Sequence, residues 1–198
     1  FPTRRSSDLI LNLDLWAADF LSYNSNIFST RNDRRSSAVN SAAAGFVFSG
    51  SQPNVWNFRL QGQAQRNTYK SVHSADHTNG YLSGSGNIIF SPALSLQGWG
   101  GYSHSHETQH NTSRLFAAST AWTGVGATVR PSPYFSTAVN YSYTTRNRSE
   151  NTLKHAEWDE RVFSVSPRWE ATPRTTLSAR ASATKFKPKG DRYSGSTH

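Results

Sequence analysis

The chain contains no cysteine and no methionine, and only 12 of its 198 residues are acidic. Without cysteine it forms no disulfide, no thiolate metal site and no cysteine nucleophile. No run of about 18 apolar residues is present, which excludes an ordinary transmembrane helix. A transmembrane β-barrel remains compatible with this absence, because barrel strands alternate apolar and polar residues instead of forming long apolar runs.

The absence of methionine predicts that the 198 residues belong to a longer reading frame. Residues 1–9 have the sequence FPTRRSSDL, which matches one translation of a widely used sequencing-library adapter. We interpret them as a sequencing-adapter scar and base the fold prediction on residues 10–198. Because residues 194–198 follow the last predicted strand without forming another, we expect both ends to be truncated.

Apolar residues are scarce for a soluble globular domain. Hydrophobic residues make up 35% of the chain and charged residues 17%, whereas soluble domains are nearer one-half apolar. Aromatic residues nevertheless reach 13%, and the polar residues are mainly uncharged, so the composition is not that of a disordered chain. A barrel wall suits this mixture, because only every second residue must be apolar.

The net charge of +9 comes from 21 basic and 12 acidic residues. The basic residues are dispersed, and no nucleic-acid-binding motif accompanies them. We therefore expect solvated loops and a basic lumen, and no nucleic-acid partner.

Period-two alternation is the dominant pattern along the chain. In one segment Trp56, Phe58 and Leu60 fall on one face of a strand. Arg59 and Gln61 fall on the other face, as they do only in a strand. Repeated along the chain, this pattern predicts nine strands, at residues 10–23, 37–49, 55–69, 80–91, 94–106, 114–130, 134–146, 158–171 and 175–187.

The predicted connections alternate between two kinds. Short proline-containing turns are predicted about 40 residues apart, at residues 51–53, 91–92, 130–133 and 172–174. Longer polar connections separate them, at residues 24–36, 70–79, 107–113 and 147–157. This alternation is typical of outer-membrane barrels, in which the short turns are periplasmic and the long loops extracellular.

The predicted fold is all-β, an antiparallel up-and-down transmembrane β-barrel. Nine is an odd number, whereas bacterial single-chain barrels have even numbers of strands. Residues 10–198 are therefore predicted to be a partial barrel domain that forms an open, curved sheet. The alternative is a soluble β-sandwich binding module, which would bury the same aromatic residues but would not explain the alternating loop lengths.

Histidines cluster near the end of one predicted strand and are candidate metal ligands. His104 and His106 share a strand face, and His73 and His77 lie in the neighbouring long connection. A zinc or copper site needs three or four converging ligands, and no carboxylate-rich segment accompanies the pair. We therefore expect a polar strand end and no functional metal.

No catalytic constellation or cofactor motif is recognisable in the sequence. The run Ser83–Gly86 falls inside a predicted strand, whereas a serine nucleophile elbow requires a strand–turn–helix context. We therefore predict that the protein is not an enzyme. The polar strand phases instead predict a lumen lining whose amides and guanidinium groups hydrogen-bond to hydroxylated or anionic solutes. These candidate residues are Arg59, Gln61, Gln63, Gln65, Asn140, Arg168, Glu170 and Arg180.

Short motifs resemble known outer-membrane proteins. The segments YNSNIF at 23–28 and RNDRRS at 31–36 resemble the opening of an outer-membrane β-barrel porin family. The segments PRWEATPRTTL at 167–177 and DRYSG at 191–195 are similar to barrels associated with exopolysaccharide biosynthesis. The resemblance implies a barrel for polysaccharide or other export and supplies no catalytic residues.

Together these observations predict a non-enzymatic, porin-like or export barrel in the bacterial outer membrane, linked to exopolysaccharide secretion. Its expected partners are outer-membrane lipid and a polysaccharide or other polar solute. Two alternatives are a scaffold barrel that sheathes an electron-transfer protein and an outer-membrane enzyme. The enzyme would require a Ser/His/Asp set facing one pocket.

Overall fold

A computed structural model of the protein describes residues 9–27, 35–108, 115–148 and 157–189. Within these ranges the strands are β1 (Ile10–Asn24), β2 (Ser37–Gln52), β3 (Trp56–Tyr69), β4 (His77–Ser91), β5 (Leu94–Thr108), β6 (Leu115–Ser132), β7 (Phe135–Arg148), β8 (Trp158–Thr172), β9 (Thr175–Ser178) and β10 (Ala181–Pro188). A three-residue 3-10 helix, His73–Ala75, lies between β3 and β4. None of the helical segments in the described ranges could span a membrane.

The strands form one antiparallel meander in chain order, as predicted. β1 to β8 each pair with their sequence neighbours, and both β9 and β10 pair with β8. Within the described residues β1 pairs only with β2, and β10 only with β8. The sheet is therefore open at both edges, which confirms the predicted all-β, unclosed architecture.

The ninth predicted strand, 175–187, is divided into β9 and β10 at Ala179 and Arg180. The two pieces keep one register against β8, with Ser178 opposite Arg168 and Ala181 opposite Val165. At the break the Ala179 N–H donates to the Pro167 carbonyl at 3.1 Å. Because proline has no N–H, Pro167 cannot donate a hydrogen bond back to Ala179. The ladder is therefore interrupted there, and Arg180 lies between β9 and β10.

The alternation of short and long connections is confirmed. Two- or three-residue turns join β2 to β3, β4 to β5, β6 to β7 and β8 to β9. In the first, Asn54 adopts a left-handed φ of 62° and the Val55 N–H donates to the Gln52 carbonyl at 3.0 Å. Asparagine tolerates this conformation better than most residues. We call the end of the sheet that carries these turns the short-turn end, and the opposite end of the strands the long-connection end.

Side chains segregate between the two faces of the sheet. Directly paired residues share a face, so the register assigns each side chain. We call the face that carries Phe58 and Leu60 the apolar face and the face that carries Arg59 and Gln61 the polar face. Exposed apolar side chains concentrate on the apolar face: Leu11, Leu13, Leu15, Leu21, Tyr23, Leu60, Leu82, Ile88, Leu94, Leu96, Tyr102, Val125, Val129, Phe135, Tyr141, Phe163, Trp169 and Leu177.

Little apolar surface is buried. A small cluster of Ile27, Val39, Tyr69 and Ala75 packs at the long-connection end. The strands of the described ranges form a single sheet, with no second layer against either face. The two packed sheets that the β-sandwich alternative requires are therefore missing from the described part of the chain.

Candidate functional site: the polar face

The polar face brings together most of the predicted lumen residues. Four of them, Arg59, Gln61, Gln63 and Gln65, alternate along β3 and face the same way. The register places Asn140 of β7 and Arg168 and Glu170 of β8 on this same face. Arg180 lies in the interruption between β9 and β10.

Two tryptophans lie over glycines at the centre of this face. Trp99 of β5 is directly opposite Gly124 of β6, and Trp122 of β6 is directly opposite Gly101 of β5. A Cβ atom at position 124 would stand 2.7 Å from Trp99 Nε1, and one at position 101 would stand 2.8 Å from Trp122 Cε2. Only glycine leaves room for each ring against the neighbouring strand.

The arrangement recurs at the edge of the sheet. Trp16 of β1 is opposite Gly45 of β2, where an added Cβ would lie 2.6 Å from Trp16 Cζ2. Rings that cover strand glycines in this way pin the register. The Trp99 and Trp122 side chains nevertheless remain partly exposed.

A cleft of about 230 Å³ adjoins the central tryptophans. Its polar-face side chains come from two adjacent cross-strand rows, namely Arg59, Ser85 and Trp99 in one row and Gln61, Ser83 and Trp122 in the other. Arg59 Nε donates to Gln61 Oε1 at 3.1 Å, which holds the guanidinium group beside the amide. Aromatic surface, hydroxyls, an amide and a guanidinium group thus line one small cleft.

A second polar contact spans β5 and β7 across a glycine. Gln97 Nε2 donates to Asn140 Oδ1 at 2.8 Å, above Gly126 of β6. A Cβ atom at position 126 would lie 2.8 Å from Gln97 Nε2, so the glycine makes this bridge possible. Asn140, one of the predicted lumen residues, therefore bonds to an amide that the sequence analysis did not single out.

A charged group occupies the long-connection end of the polar face. Glu107 of β5 accepts hydrogen bonds from Arg146 and Arg148 of β7, the latter at 2.8 Å. The Arg148 guanidinium group lies 4.9 Å from the centre of the Phe116 ring. Both Nε atoms are buried and have no hydrogen-bond partner among the described residues. Two guanidinium groups thus share the Glu107 carboxylate at this end, where Glu157 accepts a 2.9 Å hydrogen bond from the Arg148 N–H and Glu160 of β8 faces the same side.

At the short-turn end the predicted residues Arg168 and Glu170 form an exposed ion pair of 3.3 Å. Their side chains are 57% and 49% exposed, so the pair contributes little to stability. It gives this end of the polar face both charge signs.

The histidines lie near the long-connection end. The centres of the His104 and His106 rings are 5.1 Å apart, and the tilted His77 ring also lies 5.1 Å from that of His106. Both His77 ring nitrogens already have partners, Asn67 Nδ2 at 2.9 Å and the Ala75 carbonyl at 2.7 Å. Within the described ranges no group of three or more histidine or carboxylate ligands could hold a metal ion. The predicted absence of a functional metal stays a prediction.

Several residues of this site were missed from the sequence. Trp99 and Trp122 belong to two W-x-G segments, 99–101 and 122–124, that pair antiparallel. Both tryptophans occupy positions on the polar face of their strands, and each is followed by glycine two residues later. This pattern was a signal for the site, but a search restricted to polar side chains does not find it. The Glu107 group carried no such signal, because its members are about 40 residues apart in the chain.

The run Ser83–Gly86 lies inside β4, as predicted, and not at a strand–turn–helix elbow. The motif segments 31–34 and 191–195, most of 1–9, and position 28 lie outside the described residues.

Comparison with protein-family profiles, curated proteins and solved structures gives no significant match to this chain. The resemblance to an outer-membrane porin family therefore stays a prediction.

Proposed function

We propose that the chain forms part of the wall of a bacterial outer-membrane β-barrel that passes a polar solute, with an exopolysaccharide as the favoured cargo. The observation that carries this proposal is the concentration of exposed apolar side chains on one face of a single sheet. The exposed large apolar residues on the polar face include Ile10, Trp16 and Phe20 of β1 and Phe186 of β10. Val125 is 62% exposed and Leu15 72% exposed on the apolar face. In water such a surface is an aggregation liability, whereas lipid satisfies it.

The apolar side chains also form a slanted band. One cross-strand row runs from Leu13 on β1 through Leu60 on β3 to Arg161 on β8. On β8 the apolar residues, Phe163 and Trp169, lie nearer the short-turn end than this row. Strands of a closed barrel are tilted by about 35–45°, so a band parallel to the membrane must cross the hydrogen-bonded rows obliquely.

Strand length agrees with a membrane location. The eight long strands contain 14 to 18 residues, whereas a transmembrane strand needs only about 9–11. The surplus extends the polar strand ends beyond the lipid. This supports a barrel with its long connections on the outer side of the membrane.

The cleft at Trp99 and Trp122 supports a saccharide as the cargo. The apolar C–H face of a sugar ring fits against an indole ring, while its hydroxyls can bond to neighbouring amide, hydroxyl and guanidinium groups. Arg59 and Gln61 supply such groups beside the rings. No catalytic step is needed, because a pore lining that binds weakly at several sites lets a solute enter and leave.

Because the chain is proposed to supply only part of the wall, the test uses the protein expressed from the intact gene, which we call the full chain. The test is its conductance in planar bilayers, with a neutral oligosaccharide as a blocker. Trp99→Leu keeps an apolar side chain over Gly124 and removes the ring. We expect blocker affinity to fall about two- to tenfold, from the roughly 0.5–1.5 kcal/mol that aromatic contacts contribute beyond area. Trp56→Leu on the apolar face is the matched control and should leave blocking unchanged.

The possible results separate the parts of the proposal. A full chain that inserts into no membrane and conducts no ions would contradict the barrel function. A conducting barrel whose oligosaccharide block is the same in wild type and Trp99→Leu would contradict the saccharide cargo. The scaffold alternative stays a prediction, and haem-protein genes beside the intact gene would favour it.

A further inference from the structure

A basic patch lies on the apolar face, just beyond the apolar band and toward the long-connection end. It consists of Arg161 on β8 and Lys185 and Lys187 on β10, and all three side chains are exposed. Arg161 is directly opposite Lys185 on one side and Tyr143 of β7 on the other. Its guanidinium carbon lies 5.8 Å from the centre of the Tyr143 ring.

The nearby carboxylate is already engaged. Asp159 forms a 3.0 Å ion pair with Lys189 and accepts a 3.1 Å hydrogen bond from Tyr143. Lys189 also donates to Thr145 at 2.6 Å and to Asn147 at 2.7 Å, which fixes its position. Among the described residues, no ion pair includes any member of the basic patch. Asp159 is directly opposite Lys187 but is paired with Lys189, so the patch has one shared carboxylate beside its three positive charges.

Two like charges directly opposite each other in a sheet destabilise it. The Arg161–Lys185 pair is such a contact, and among the described residues neither side chain forms an ion pair with a carboxylate. A bound anion between the two strands would turn this repulsion into attraction. Phosphate suits the position, because guanidinium and ammonium groups are its usual ligands in proteins.

An apolar groove adjoins the basic patch. It has a volume of about 850 Å³, and Val125, Tyr141 and Phe163 are among its lining residues. Its floor includes Gly86 and Gly98, whose missing side chains leave space between the larger residues. Tyr141 and Phe163 are the apolar-face neighbours, two positions along β7 and β8, of Tyr143 and Arg161. A phosphate at the patch would thus place an attached hydrocarbon chain at the groove.

We propose that the basic patch and the adjoining groove bind a phosphorylated lipid, with the phosphate between Arg161 and Lys185 and an acyl chain in the groove. This rests on the proposed function, because it requires the apolar face to contact lipid. The long-connection end would place the site in the outer leaflet, so the predicted ligand is a phosphorylated glycolipid of that leaflet.

The experiment measures binding of lipid A to the full chain folded in neutral detergent, by native mass spectrometry. Dephosphorylated lipid A and inorganic phosphate are the other two probes. We expect Arg161→Gln with Lys185→Gln to weaken binding of lipid A about thirtyfold, because each basic residue near a lipid surface contributes about fivefold and the two contributions multiply. Arg130→Gln with Arg174→Gln removes the same charge at the short-turn end and should not change binding.

Dephosphorylated lipid A should bind the wild type as weakly as lipid A binds the double variant. Equal binding of both lipids, or an unchanged affinity in the double variant, would overturn the proposal. Competition by inorganic phosphate at the same concentration as lipid A would identify a free-phosphate site and contradict the lipid assignment. Lys187 does not belong to the Arg161–Lys185 pair. Lys187→Gln should weaken binding of lipid A about fivefold, and it tests the basic patch if the double variant does not fold.

Insertion into vesicles, followed by heat-modifiable migration, is measured on the same samples. A wild-type chain that does not insert would refute the proposed function and the lipid site together. A chain that inserts and forms a heat-stable barrel, yet does not distinguish the two lipids, would refute the lipid site alone.

Discussion

Replacing Val125 by arginine separates a lipid-facing sheet from a water-facing one. Val125 lies on the apolar face between Gly98 and Tyr141 and is 62% exposed. In water, a substitution at so exposed a position changes the free energy of unfolding by no more than about 0.5 kcal/mol. In lipid, an arginine near the middle of the bilayer costs about 2–4 kcal/mol. The two environments therefore predict effects of different size for the same substitution.

The matched control adds the same charge on the other face. Gln97 lies on β5, beside the strand that carries Val125, and faces the polar side. Gln97→Arg keeps a donor that can reach Asn140, the current partner of Gln97 at 2.8 Å. We expect this variant to change the free energy of unfolding by less than about 1 kcal/mol, because a pore lining tolerates charge.

The assay is equilibrium unfolding of the full chain by guanidinium chloride in lipid vesicles, with tryptophan fluorescence and heat-modifiable migration as readouts. A loss of about 3 kcal/mol lowers the folding equilibrium constant more than a hundredfold. If Val125→Arg and Gln97→Arg unfold at the same denaturant concentration as the wild type, the apolar face does not contact lipid. A larger loss for Gln97→Arg than for Val125→Arg would mean that the two faces have been assigned the wrong way round.

Three further substitutions test the packing of side chains against the sheet. Gly124→Val should destabilise the protein by about 1–3 kcal/mol, because its Cβ would stand 2.7 Å from Trp99 Nε1. At Gly98, on the apolar face of the same strand pair, an added Cβ would lie 3.9 Å from the Gly124 carbonyl oxygen, so Gly98→Ala should change the unfolding free energy by less than about 1 kcal/mol. Equal effects in urea titrations would show that the ring does not cover the glycine. Glu107→Gln should cost about 1–3 kcal/mol, because two half-buried guanidinium groups of β7 lose their carboxylate. The difference from wild type should shrink at high salt, and a salt-independent difference would contradict an electrostatic cause.

Much of the fold could be predicted from the sequence, because its determinants are local. Alternation with period two fixes a strand and the side chains that share its faces, and proline marks the short turns. The opposite faces of Trp56 and Arg59 in β3 follow from that alternation alone. The division of the last predicted strand did not, because its cause is Pro167 on the neighbouring strand.

The candidate sites depended on the tertiary structure, since register decides which side chains meet across strands. Trp99 lies over Gly124 only in the observed pairing of β5 with β6, and a slip of one residue would send the ring to the other face. The opposition of Arg161 and Lys185 likewise arises only when β10 docks beside β8. Sequence determined which residues are polar or apolar on each strand. The register of hydrogen bonding between paired strands decided which of these residues form a cleft, a patch or a groove.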